Sequence, residues 1–223
     1  MDKAQLRLEL QKSLAGISAE QRKEKSRRAC RKLVSTPEFQ NASTVMMFLS
    51  LPHEIDTSEA ILYAWQMGKT VVVPKVSWQQ RHMIPVQINS LETGFSEEVA
   101  GLRNPMTGAP VPFEEIHLVI APGLGFDRKG NRLGRGGSYY DRFFANKELK
   151  AAKCGFAFAE QVMDAVPVSE HDVPVNMLIS DEEVLYFGKD KPECSTPDKE
   201  VRGQAGSPQT TGGKNKKTGM SKK

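Results

Sequence analysis

Three short, almost unbroken apolar runs constrain the fold more than any other feature: TVMMFLS at 44–50, TVVVP at 70–74 and IHLVIA at 116–121. A strand with one wet face alternates apolar and polar residues, so continuous runs of this length describe strands covered on both faces. Between the first two, Ala60, Ile61, Ala64 and Trp65 recur at helical spacing, with Thr57 or Ser58 as the cap and Gly68 as the stop. Strand, helix and strand within about 30 residues form a βαβ unit, whose crossover is expected to be right-handed.

Two helices precede this unit. Leu6, Leu10 and Leu14 stand at four-residue steps over residues 3–14, and SAEQ at 18–21 is a capping-box start for a helix to about Val34. Downstream, residues 83–88 read as an edge strand because Pro85 cannot donate to a ladder. Residues 91–112 scatter Gly and Pro and read as a long surface loop. A helix over about 138–147, a strand near 154–159, and strands at 176–180 and 184–187 complete the pattern. The alternation predicts an α/β fold, a single three-layer α/β/α domain with a mostly parallel sheet over residues 1–188. Beyond Gly188 apolar residues nearly vanish, so 189–223 are expected to be a low-complexity, disordered tail.

Charge follows the same boundary. Residues 189–223 hold nine of the chain's 31 Lys/Arg and four of its 27 Asp/Glu, leaving 22 and 23 for the rest. The domain is therefore close to neutral and has no global field for a polyanion, which argues against a specific nucleic-acid partner. No apolar run approaches the ~20 residues of a membrane span, and the first residues lack the apolar core of a secretory signal. Cys30, Cys154 and Cys194 form no CxxC pair, so free thiols and a cytoplasmic location are expected.

Ligands of open α/β sheets collect outside the carboxyl ends of the strands. There the run at 116–121 delivers the chain into APGLGFDRKGNRLGRGGSYYDR at 121–142, with six glycines, five cations, two acids and two tyrosines. Arg128 stands where a dinucleotide fingerprint needs its third glycine, and no G-K-[ST] closes a Walker-type loop. What remains is RLGRGG at 132–137. Glycine backbone that approaches a ligand closely, helix-start amides and planar guanidinium groups together suit phosphate oxygens. Asp141, early in the following helix, reads as a helix-dipole partner or as a ligand of Mg²⁺. Asp172, before the last strands, reads as a second ligand of that ion or, on spacing alone, as a loop turn residue. Glu54 reads as a solvated loop acid or as an acceptor for a ring's amino and amide groups. The four histidines show no ligand spacing, and no GxSxG points to a nucleophile.

At these residues the chain resembles the 5-formyltetrahydrofolate cyclo-ligase family, also called methenyltetrahydrofolate synthetases. The resemblance rests on PGLGFD at 122–127, GNRLGRG at 130–136 and YYD at 139–141. KAQLR at 3–7, FLS at 48–50 with Glu54, VPV at 166–168 leading to Asp172, and DEEVLY at 181–186 extend it. It implies a three-layer α/β/α enzyme that uses ATP and Mg²⁺ to convert 5-formyltetrahydrofolate to 5,10-methenyltetrahydrofolate through a phosphorylated formyl intermediate. Carried over by residue, it implies ATP contacts from Lys3 and Arg7. Phosphate contacts would come from Arg132, Leu133, Gly134, Arg135, Gly136, Gly137, Ser138, Tyr139 and Tyr140. Leu49, Glu54, Arg135 and Tyr139 would meet the folate, Arg135 and Tyr139 being the catalytic residues. Asp141 and Asp172 would hold Mg²⁺. The expected partners are the two substrates, with no membrane, and the expected state is a monomer. Ser138 stands where the family usually has glycine, and GLRNP at 101–105 matches the family's substrate-covering loop too loosely to assign contacts. Two other readings stay open: an ATP- or folate-binding protein without turnover, and an RNA-associated protein using the basic tail.

Overall fold

A computed structural model describes residues 2–97 and 101–188. The expected tail and Cys194 lie outside the described residues. Helices α1 (Lys3–Ala15) and α2 (Ala19–Val34) begin as their sequences dictate. Asp2 caps α1 by accepting from the Gln5 amide, and Ser18 and Gln21 form the reciprocal capping box of α2. Leu6, Leu10 and Leu14 lie on the buried stripe of α1. A short α3 (Pro37–Asn41), not foreseen, is set by a Thr36 cap and Pro37 in its first turn.

The central sheet is built from β1 (Thr44–Met46), β2 (Thr70–Ser77), β3 (His82–Gln87), β6 (Leu118–Ala121), β9 (Ala152–Ala157), β11 (Met177–Ser180) and β12 (Val184–Tyr186). Their spatial order is β12-β11-β9-β6-β1-β2-β3. The five inner strands are parallel, while β3 and β12 close the edges antiparallel. Between β1 and β2 runs α4 (Ser58–Gln66). Side chains alternate between two cores, as the pleat requires. Val45, Val71, Val73, Leu118 and Ile120 pack with the helical leucines on one face. Met46, Val72 and Val119 pack with Phe143 and Phe144 of α5 (Tyr139–Phe144) on the other. Each such fully buried side chain contributes about 1.5–3 kcal/mol relative to exposure. The layered, mostly parallel α/β fold is therefore as the sequence predicts, and no helix among the described residues is long and apolar enough to cross a membrane.

Four expectations are corrected. Residues 91–112 are not a plain surface loop, because β4 (Phe95–Glu97) and β5 (Arg103–Pro105) pair as a hairpin. Asn104, only 7% exposed, fixes it to β2, its side chain bonding the Val76 amide at 2.8 Å and carbonyl at 2.9 Å. Strands of three residues are too short to give a readable period. The helix expected to 147 stops at Phe144, and Asn146 caps a turn by accepting from the Glu148 amide. Thr57 does not cap α4 through its side chain. Its hydroxyl donates to the Phe48 carbonyl at 2.7 Å, and Asp56 receives the Ser58 amide instead. Finally, the glycine-arginine segment contains a hairpin of β7 (Gly125–Asp127) and β8 (Arg132–Leu133), joined in parallel by β10 (Val162–Met163).

The strand order reverses about β1, which has β2 on one side and β6 on the other. The segments leaving β1 and β6 therefore diverge from adjacent carboxyl ends, the place where open sheets form a crevice.

Candidate active site

A cleft of about 410 Å³ opens at that crevice. This volume is in the usual range for small-molecule sites. Phe48 and Leu49, continuing β1, form its floor. One wall is polar and comprises Lys3 and Arg7 of α1, residues 132–141, and Asp172. The rest of the lining is largely apolar, with Val76, Trp78, Met83 and Leu102 beside the cation of Arg103. All fifteen residues singled out as candidates line this one cleft: Lys3, Arg7, Leu49, Glu54, the ten from Arg132 to Asp141, and Asp172.

The polar wall is organised from below by Asp127, which is 1% exposed. Its Oδ1 accepts from the amides of Lys129 and Asn131, and its Oδ2 from the Asn131 side chain and the Val166 amide. Burial alone would raise its pKa, but these four donors hold it below the ordinary carboxylate value. Gly130 completes the turn at φ +88°, where an added Cβ would stand 2.7 Å from the Val175 carbonyl oxygen. The hairpin so fixed presents Arg132 to the cleft.

Arg132 is itself committed. Its side chain is 4% exposed, donates to Asp141 Oδ1 at 3.0 Å and to the Pro122 carbonyl at 3.3 Å, and lies 5.4 Å from the Tyr140 ring centroid. Arg132 Nε and the Tyr140 hydroxyl are buried without hydrogen-bond partners among the described residues, and burial pushes the Tyr140 phenol above its ordinary pKa.

The loop beyond β8 is held from two sides. Arg7 Nε donates to the Gly134 carbonyl at 2.9 Å, and Arg142 donates to the Gly137 carbonyl at 2.8 Å while standing over the Tyr139 ring. Tyr139 in turn meets Trp78 edge-on, with centroids 5.8 Å apart. Ser138 adopts φ +51°, ψ +27°, the left-handed conformation that glycine tolerates best. Ser138→Gly is therefore expected to raise the thermal midpoint slightly, by up to about 1 kcal/mol of stability. A destabilised variant in a thermal melt would contradict this.

Across the cleft, Arg135 reaches Glu54: its Nε and Nη2 both lie 3.0 Å from Oε1. Glu54 Oε2 accepts from the Leu51 amide at 3.0 Å, and its side chain is only 10% exposed. Glu54 is thus not the solvated acid that one reading allowed.

The two aspartates are brought into the same wall. Asp141 Oδ1 accepts from Arg132 and from the Val173 amide. Asp172 Oδ2 accepts from Lys3 and from the Ser169 amide at 2.7 Å, so it is a turn residue and a cleft residue together. Burial would raise the Asp172 pKa, yet Lys3 and the Ser169 amide keep it below the ordinary value. Asp141 Oδ2 and Asp172 Oδ1 have no protein partner among the described residues. Nor do three or more His, Cys, Asp or Glu gather into a metal cluster there. Two carboxylates with free oxygens fit Mg²⁺, which takes one or two carboxylates and completes its shell with water and phosphate.

Sequence reasoning missed Asp127, Trp78, Met83, Leu102 and Arg103. The Asp127 signal was present as an acid followed by a Gly130-Asn131 turn. Trp78 and Arg103 had none, because a hairpin tip and a three-residue strand bring them to the cleft.

Fold and site together define an α/β protein with a switch-point ligand cleft, one wall rich in guanidinium and carboxylate groups and the rest of the lining largely apolar. The chain belongs to the 5-formyltetrahydrofolate cyclo-ligase family, whose model matches residues 1–181. It is 34% identical over 196 residues to a mouse 5-formyltetrahydrofolate cyclo-ligase, covering 81% of this chain and 91% of that one. It is 28% identical over 178 residues to the Escherichia coli K12 enzyme of the same name, covering 75% and 94%. The solution structure of Aquifex aeolicus 5,10-methenyltetrahydrofolate synthetase superposes with a TM-score of 0.74 at 27% identity, covering 88% of this chain and 97% of that one.

Proposed function

We propose that the protein converts 5-formyltetrahydrofolate and ATP to 5,10-methenyltetrahydrofolate, ADP and phosphate. The observation that carries the reading is the juxtaposition of Arg135, on the glycine-rich loop, with the buried carboxylate of Glu54. It supports a phosphate-type subsite beside a ring-type acceptor. An amide oxygen leaves poorly, and transfer of the γ-phosphoryl group to the formyl oxygen makes it a good leaving group. N10 then attacks the formyl carbon, the C–O bond breaks, phosphate departs and the N10 proton is lost. Such chemistry needs positioning and neutralisation of phosphate charge.

Each cleft residue has a part in that scheme. Lys3, Arg7 and the backbone from Leu133 to Ser138 bind the triphosphate, with Arg132 adding its charge from beneath. Arg135 and Tyr139 meet both the transferring phosphoryl group and the folate. Glu54 accepts from the pterin, over Leu49, and Tyr140 packs beneath Arg132. Asp141 and Asp172 would hold Mg²⁺, which when bound neutralises phosphate charge. The protein acts as a monomer in the cytoplasm, which suits free, buried Cys30 and Cys154; burial pushes the Cys30 thiol up to about 12.

The test follows methenyltetrahydrofolate by absorbance and phosphate in parallel. One phosphate per methenyl product is expected, with none released when 5-formyltetrahydrofolate is omitted. Asp141→Asn is expected to shift the magnesium titration to higher concentration. Binding of both substrates without phosphate release would establish a non-catalytic binder instead.

A further inference from the structure

We propose that Arg142 is a positioning residue: its one guanidinium ties the glycine-rich loop to the tip of the β2–β3 hairpin and thereby sets the place of Tyr139 in the cleft. The inference rests on the part given to Tyr139 above. Arg142, on α5, is not among the residues that line the cleft. It is joined to two segments that do line it. Its Nε donates to the Arg81 carbonyl at 2.7 Å, and its Nη2 donates to the Gly137 carbonyl at 2.8 Å. Arg81 ends the turn 78–81 between β2 and β3, flanked by Trp78 and Met83, which line the cleft from the hairpin. Gly137 lines it from the loop, two residues before Tyr139.

The contacts close into a ring. The Arg142 guanidinium stands 5.2 Å from the Tyr139 ring centroid, and that ring meets Trp78 edge-on at 5.8 Å. Trp78 begins the same turn that Arg81 ends, and Arg81 returns to Arg142 through its carbonyl. A planar fork can serve two carbonyls and a ring face at once, which a point charge on a flexible stem does poorly. The backbone on both sides needs such a hold. Among the described residues only Arg81 and Ser138 are non-glycine residues with positive φ, at +52° and +51°. Backbone of that kind persists where its surroundings over-determine it. Arg142 bonds the carbonyl of the first and the carbonyl that enters the second. Without that hold, the ring assigned to both substrates is free to shift, and a displacement of about 1 Å in such a group costs about 100-fold in rate.

The experiment reads kcat and the surroundings of Trp78 in the whole chain. Trp65→Phe leaves Trp78 as the one tryptophan, so acrylamide quenching of its emission reports the clasp without turnover. Arg142→Ala is expected to lower kcat about 10- to 100-fold and to make Trp78 easier to quench. In a Tyr139→Ala background the same substitution should cost nothing further, because the group it places is gone. Arg142→Lys keeps the charge but not the fork, and should recover the thermal midpoint with little of kcat. If Arg142→Ala does not fold, Arg142→Lys carries the same comparison. Equal loss of kcat with and without the Tyr139 side chain, full recovery of kcat in Arg142→Lys, or unchanged kcat in folded Arg142→Ala would overturn the proposal. A wild-type protein that forms no product, and whose Trp78 becomes quenchable on loss of Arg142, supports the clasp and overturns the proposed catalysis. Normal wild-type turnover, with kcat and quenching untouched by either variant, does the reverse.

Discussion

Arg135→Ala is expected to lower kcat/KM for methenyltetrahydrofolate formation by about a thousandfold or more, the usual loss when a cation facing a transferring phosphoryl group is removed, if Arg135 has the role proposed for it. Stability changes far less. The Arg135 side chain is 42% exposed, and its one ion pair joins a loop to a loop. Glu54 is mostly buried but keeps the Leu51 amide as a donor, so losing the half-exposed Arg135 is expected to cost about 1–2 kcal/mol, which is a few degrees of melting temperature for a domain of this size. Steady-state kinetics beside scanning calorimetry separate the two quantities. A variant that lost activity only in proportion to its lost stability would remove Arg135 from the chemistry.

The second large effect belongs to Asp127. Asp127→Ala leaves four donors unmatched around a buried site, a change expected to cost about 3–5 kcal/mol and about 10 °C in thermal midpoint. The same carboxylate gives stability an acid limb. The donors around it hold its folded pKa below the ordinary aspartate value of about 3.9. Its contribution is therefore complete above about pH 4 and is lost as the pH falls through the lower, folded value. Asp127→Asn cannot titrate. Denaturant unfolding should show a constant gap between wild type and Asp127→Asn from pH 5 to 8 and a narrowing gap below pH 4. A gap independent of pH throughout would show that this carboxylate is not held ionised by the fold.

How legible these features were depended on their range along the chain. The buried strands and the α2 capping box are local, written in residues that touch one another in sequence, and the parallel sheet followed from them. Ser138 was legible as a question: a serine where glycine is usual matters only if φ is positive, and it is. The β4–β5 hairpin was hidden because three-residue strands leave no period, and β7 and β8 because glycines and charges mask so short a ladder. Contacts such as Lys3 with Asp172, 169 residues apart, or Arg135 with Glu54, 81 apart, have no local signature at all. The residues were singled out one by one, Arg135, Glu54 and Asp172 from their setting in the chain and Lys3 from the family resemblance alone, but nothing local pairs them. Their assembly into one cleft comes from the strand order reversing about β1.

As the pair stands, Glu54 and Arg135 neutralise each other. An incoming phosphate that draws the guanidinium away uncovers an acid with little access to water, which then gains most from any N–H brought beside it. With the two substrates bound as proposed, occupancy of one half of the crevice would be felt in the other as an electrostatic vacancy, and by linkage the influence would run equally in both directions. Such cross-talk requires a single side chain to change allegiance while the sheet beneath stays still.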